Sequence, residues 1–154
     1  MARHERPHGH QLRRGRYSEP GRPYLVTTVV RGRRPLFRDW HAAAACARSL
    51  HAAPTESAIT PLAWVVMPDH VHWLFALEDG LLDRVMRRFK SRSARAVNAA
   101  TGTRGAIWQR GYHDHAVRRE EELRALARYV VANPVRAGLA SRAVDYPFWD
   151  AAWL

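Results

Sequence analysis

Two apolar runs, Ile59-Thr-Pro-Leu-Ala-Trp-Val-Val-Met67 and His70-Val-His-Trp-Leu-Phe-Ala-Leu77, are separated only by Pro68-Asp69. Their β-branched and aromatic content and their length predict two strands folded into a hairpin at the Pro-Asp break. On a strand, residues two apart share a face. His70 and His72 therefore project together, while Val71 enters the opposite side. The apolar flanks make this second strand a central one, where two polar rings without partners are costly. Paired neutral imidazoles are a natural half-site for a divalent metal.

Outward from the hairpin, Tyr24-Leu-Val-Thr-Thr-Val-Val30 reads as a buried strand ended by the basic turn Arg31-Gly-Arg-Arg-Pro35. Asp39 opens an Ala-rich helix to about His51, with Pro54 beyond its end. Leu81 to about Ala100 is the longest helical pattern, with Leu82, Val85, Phe89 and Ala96 on its apolar face. His113 to Arg118 reads as a short strand. Glu120, Glu121 and Glu122 suit the first turn of a last helix. Asn133-Pro134 is expected to stop that helix near Ala132. The aromatic tail from Tyr146 to Trp153 is expected to pack back on the domain. The order β-α-β-β-α-β-α predicts an α+β, ferredoxin-like antiparallel sheet with helices on one face and one additional C-terminal helix.

The 154 residues fit a single domain. They carry 25 Lys+Arg against 14 Asp+Glu, a net charge of +11. That excess favours a polyanionic partner, nucleic acid first and an anionic membrane surface second. Lys90 is the sole lysine, so the charge is almost all arginine, a bias that a GC-rich genome also produces. One cysteine, Cys46, excludes an intrachain disulfide and a Cys-based zinc site. The Arg-rich start has no apolar core behind it, which argues against a signal peptide, and no run is long enough for a membrane span. A soluble intracellular protein is expected.

Residues 1–22, with Arg13 and Arg14 among their arginines, read as a flexible basic arm, and residues 23–154 as the domain proper. Within the long helix, Arg84, Arg88, Arg92 and Arg95 recur on one face. They have no acidic residue among them to form i,i+4 pairs. This stripe is either a solvated face or a grip on a phosphate backbone.

Two further groups carry chemistry. His113-Asp114-His115 repeats the i, i+2 spacing, but its charged middle residue favours a structural or phosphate-contacting role over metal binding. Tyr129 and Asn133 lie four apart, on one face if the helix persists. A helical tyrosine is commonly a core residue with a wet hydroxyl. It is a covalent nucleophile where its hydroxyl meets a metal-activated electrophile.

Met67-Pro68-Asp69-His70-Val71-His72 resembles the HUH signature of single-tyrosine transposases. Trp108-Gln-Arg-Gly-Tyr-His-Asp-His-Ala-Val-Arg118, with Tyr129-Val-Val-Ala-Asn-Pro-Val-Arg-Ala-Gly-Leu139, resembles the REP-associated branch of that superfamily. The resemblance implies a metal-dependent enzyme that cuts and rejoins single-stranded DNA at hairpin-forming repeats, in the cytoplasm of a bacterium and at its nucleoid. It implies that His70 and His72 bind Mg²⁺ or Mn²⁺ and that Tyr129 is the nucleophile forming a 5′-phosphotyrosine. Asn133 stands where related transposases place a polar third ligand. Tyr112 is a rival nucleophile by position, and Lys90 matches a basic position suited to DNA contact. The arginine stripe and the arm would hold the DNA. The enzyme would act as a monomer or a homodimer. The alternative is a non-catalytic protein that recognises hairpin DNA with the same fold. An RNA-binding ferredoxin-like domain would show a Gly-aromatic motif on its sheet, which is not evident here.

Overall fold

The computed structural model describes residues 21–152. Five strands form one antiparallel sheet: β1 (Arg22–Val29), β2 (Ile59–Met67), β3 (His70–Leu77), β4 (His113–Ala116) and β5 (Trp149–Ala151). Their order across the sheet is β4-β1-β3-β2-β5. The first four strands reproduce the expected ferredoxin-like topology, with the β2–β3 hairpin turning at Pro68-Asp69. β3 is central, pairing with β1 (Val29 opposite His70, Thr27 opposite His72) and with β2 (Met67 opposite His70, Val65 opposite His72).

Three helices cover the sheet: α1 (Trp40–Glu56), α2 (Leu82–Thr101) and α3 (Glu120–Arg136). The alternation along β3 sorts them. Val71, Trp73, Phe75 and Leu77 face a core built with α1 and α2, including Leu50, Met86 and Phe89. Leu74 faces the other way, into a smaller core with Val65, Met67, Ala127 and Val130 under α3. His70 and His72 share the parity of Leu74 and therefore lie on the α3 side.

Asp39 caps α1, its carboxylate accepting from the amides of His41 (2.8 Å) and Ala42 (3.1 Å). Such a cap contributes about 1 kcal/mol. The helix runs five residues past its expected end near His51, through Pro54 to Glu56. A proline in the last turn forfeits one backbone bond, and here Leu50 and Ala53 hold that turn in the core. α2 ends where Gly102 takes a left-handed conformation (φ 69°). α3 likewise continues through Asn133-Pro134 to Arg136, with Pro134 buried. β1 begins at Arg22, a residue assigned by its sequence to the basic arm. Arg13 and Arg14 lie outside the described residues. The aromatic tail does pack back, and does so by adding β5 to the β2 edge. Tyr146 donates to the Val66 carbonyl at 2.5 Å, and burial pushes its ionisation up to about 12. Cys46 is wholly buried in α1, and burial raises its thiol pKa far above the ordinary value.

The segment between α2 and β4 is pinned by a buried polar contact. Trp108 donates its indole N–H to Ser93 Oγ at 2.9 Å, and Ser93 donates to the Phe89 carbonyl at 2.7 Å. Lys90 adds donations to the carbonyls of Gln109 (2.8 Å) and Gly111. Replacing Ser93 by Ala strips the Trp108 indole of this acceptor in a nearly dry position. Ser93→Ala should cost about 1–3 kcal/mol, read as a lower urea midpoint at unchanged slope.

Candidate active site

The two imidazoles emerge at the start of β3, where the sheet leaves the hairpin turn. His72 is only 8% exposed. Its Nδ1 lies 2.8 Å from Thr27 Oγ1 on β1. His70 Nδ1 lies 2.7 Å from Asp69 Oδ1, and the other oxygen of Asp69 accepts from Arg33 Nη1 at 2.9 Å. Burial works against the Asp69 carboxylate. Hydrogen bonding and charge from His70 and then Arg33 outweigh it and hold its pKa below the ordinary value. With Nδ1 of each ring engaged, Nε2 is the nitrogen left to act on a ligand, the arrangement that outer hydrogen bonds impose on metal-binding histidines. The pKa of His72 is depressed to about 3, first by burial and then by the charges of His70 and Arg136. It is neutral near physiological pH, as a metal ligand must be.

Tyr129 stands over this pair on α3. Its ring centroid is 5.4 Å from that of His72, and the two imidazoles are 4.8 Å apart. The tyrosine is 40% exposed. Arg136, seven residues on, places its guanidinium 4.3 Å from the Tyr129 ring centre and donates to the Tyr129 carbonyl at 3.3 Å. Because α3 persists through Pro134, Asn133 does share the Tyr129 face. Its Nδ2 donates back to the Tyr129 carbonyl at 3.2 Å.

The structure thus brings together His70, His72 and Tyr129, with Asn133 one turn along the Tyr129 face of α3. Sequence reasoning missed Thr27, Asp69, Arg33 and Arg136 as their supports. Asp69 lay within the quoted motif, and Arg136 sits two turns beyond Tyr129. Thr27 could be found only from the β1–β3 register. Tyr112 is not part of this site. It is buried in the α1–α2 core and donates its hydroxyl to Asp83. His113 shares a face with Thr27 and His72 but stands two strands from His72, about 10 Å by strand spacing. His115 pairs with Glu122 of α3 at 2.6 Å. Among the described residues, no three His, Cys, Asp or Glu side chains cluster as a metal site.

The expected DNA-contact residues fall elsewhere. Arg84, Arg88, Arg92 and Arg95 line a cleft on α2, in the layer on the other side of the sheet. Their acidic partner comes from a different helix: Glu56 at the end of α1 pairs with Arg92, and its carbonyl accepts from Arg88. Lys90 turns its ammonium onto the loop carbonyls named above.

A ferredoxin-like sheet that sets two imidazoles beneath a helical tyrosine is the HUH type of domain. A family model described as "Transposase IS200 like" matches residues 22–133. The chain belongs to the IS200-like transposase family. It is 34% identical over 88 residues to a REP-associated tyrosine transposase of Escherichia coli (strain K12), an overlap of 56% of this chain and 50% of that protein. The chain therefore spans about half the length of that curated relative. A solved REP-associated tyrosine transposase bound to a REP hairpin superposes with a TM-score of 0.72 at 26% identity, over 87% of this chain and 79% of the other. A protein of Deinococcus radiodurans R1, provisionally named a transposase, shares the fold (TM-score 0.55, 22% identity, 76% of this chain and 94% of the other).

Phenol chemistry should separate the tyrosines. Tetranitromethane attacks exposed, ionisable phenols, so Tyr129 should be nitrated before Tyr24, Tyr112 and Tyr146. Peptide mapping after brief exposure reads the order; early modification of Tyr112 would contradict its buried placement.

Proposed function

We propose that the chain is a metal-dependent single-stranded DNA endonuclease and strand transferase acting on hairpin-forming repeats through a 5′-phosphotyrosine. The observation that carries this reading is Tyr129, partly exposed, within 5.4 Å (ring to ring) of the buried, neutral His72. Support comes also from the E. coli relative named a REP-associated tyrosine transposase and from the related structure bound to a REP hairpin.

His70 and His72 would hold a divalent cation through Nε2, with Asn133 able to add its amide oxygen. Oxygen-poor donor sets of this kind favour Mn²⁺ over Mg²⁺. The cation, when bound, polarises a non-bridging phosphate oxygen and offsets the charge that builds there. The chain supplies the rest. Thr27 and Asp69 fix the imidazole orientations. Tyr129 loses its phenolic proton, and its Oη forms a bond to phosphorus. The bond from phosphorus to the 3′ oxygen breaks, and that oxygen leaves as a 3′-OH after taking up a proton. Arg136 lies over the Tyr129 ring and steadies it by a cation–π contact. The phosphotyrosine conserves the phosphodiester energy, so attack by a 3′-OH rejoins strands without a nucleotide cofactor. The α2 arginines would supply a further phosphate-binding surface, remote from the chemistry.

Incubation with single-stranded hairpin DNA and Mn²⁺ should yield a covalent protein–DNA adduct. Tyr129→Phe should abolish it, chelation should abolish it reversibly, and His72→Ala should lower it by a hundredfold or so. Tyr112→Phe should leave it intact. Binding with no adduct in any metal would favour a non-catalytic hairpin-binding protein instead.

Affinity for DNA should also fall steeply with salt, the slope of log K on log salt being about −0.7 per single-strand phosphate neutralised. A flat profile by fluorescence anisotropy would remove the arginines from the grip.

A further inference from the structure

A second basic cleft lies at the sheet end that carries the imidazoles. The turn after β1 begins directly beside the site: Val29 is paired with His70, and the Val30 amide donates to the Asp69 carbonyl at 2.9 Å. The segment before β4 is zipped to the same strand end. Arg31 N–H donates to the Ile107 carbonyl (2.8 Å), Gln109 N–H donates to the Val29 carbonyl (2.8 Å), and Val30 bridges Trp108. Between the two segments opens a cleft of about 500 Å³ lined by Arg31, Arg34 and Arg104, with Asn98 and Thr103 on its far wall.

Three features distinguish it from the α2 cleft. It has no carboxylate among its lining residues, whereas Glu56 lines the other. Its far wall is fixed, since Asn98 Nδ2 donates to the Gly105 carbonyl at 3.0 Å and Thr103 Oγ1 donates to Asn98 Oδ1 at 2.8 Å. Its near wall shares a turn with the site, because Arg33, between Arg31 and Arg34 in the chain, holds Asp69, which in turn holds His70. The α2 cleft runs along α2 from Arg84 to Arg95, and its acidic residue, Glu56, belongs to the opposite end of the sheet. Glu56 and Ser57 lead into Ile59, which pairs with Leu77, the last residue of β3, and seven residues of strand separate Leu77 from His70, about 23 Å.

We propose that the Arg31–Arg34–Arg104 cleft is the track for the single-stranded DNA backbone that continues from the scissile phosphate. The proposal rests on the reading of Tyr129 as the reacting centre for the strand's position, and deepens it by naming how that strand is held. Guanidinium forks suit successive phosphates, and an uncompensated cleft accepts them without displacing an ion pair. The contacts carry no base information, so the track is sequence-tolerant.

The test uses the full chain carrying Tyr129→Phe, which binds without cutting, and two probes. One is a hairpin; the other is the same hairpin with single-stranded thymidine extensions of about eight nucleotides. The extensions should tighten binding several-fold. Arg31→Gln, Arg34→Gln and Arg104→Gln combined should erase that gain and lower the salt slope by about 2, leaving the bare hairpin within twofold. The same three positions changed to Lys should recover part of the gain. Arg104→Gln alone, on an exposed loop, gives a partial loss that does not depend on the triple variant folding. The proposal is overturned if the extensions add nothing, if the triple variant keeps their gain, or if it loses the bare hairpin equally. Adduct formation is scored separately on the unsubstituted Tyr129. An extension effect lost in the triple variant without any adduct would sink the phosphotyrosine reading and leave the track standing.

Discussion

Everything in this molecule hangs on the two-residue period of β3. The strand is packed on both faces and hydrogen-bonded on both edges. Val71, Trp73 and Phe75 commit one face to the α1–α2 core. The polar residues that interleave with them can then go only to the other. That face is thinner, roofed by a single helix, and at its hairpin end it opens to solvent. Buried polar rings there need partners, and Thr27 and Asp69 provide them from the neighbouring strand and the turn. A slip of one residue in the β1–β3 register would turn the imidazoles into the large core and leave Trp73 outside. The apolar packing that stabilises the sheet is therefore what positions the chemistry.

The hairpin, the Asp39 cap, the long amphipathic α2 and the ferredoxin-like order were legible because each is a local pattern. Alternation, a capping carboxylate and an apolar stripe need no knowledge of distant residues. Two proline-based boundaries failed for a common reason. Proline near the end of a helix loses one backbone bond and little else, so packing of Ala53 under α1 and of Pro134 itself under α3 overrides it. The persistence of α3 matters most, since it puts Asn133 on the Tyr129 face. Short β5 left too few residues for an alternation to show.

The site itself was half legible. His70, His72 and Tyr129 stand out by type and spacing. Their supports depend on which strand lies beside which, and that is tertiary information. The same limit hid Glu56 from any reading of the α2 stripe, since i,i+4 arithmetic sees one helix at a time. It also hid the destination of Lys90, a long side chain with an exposed-looking sequence position that pins a loop. Arginine content by itself did not separate these uses. Surroundings do: one basic cleft shares a turn with the imidazoles and has no carboxylate in its lining, and the other lies along α2 with Glu56 in it.

Cys46 has no part in any of this chemistry, and that gives it a practical consequence. Its thiol is sealed within α1 and resists ionisation, so neutral solution leaves it unreactive towards maleimides. As the chain's sole cysteine, it does not compete with a cysteine introduced at the surface. A spin label or fluorophore can therefore be placed on the 103–107 loop or the turn after β1 without first removing a native thiol. The folded protein is in effect cysteine-free to a chemist, and distances between a labelled strand and a labelled loop become measurable in it as it stands.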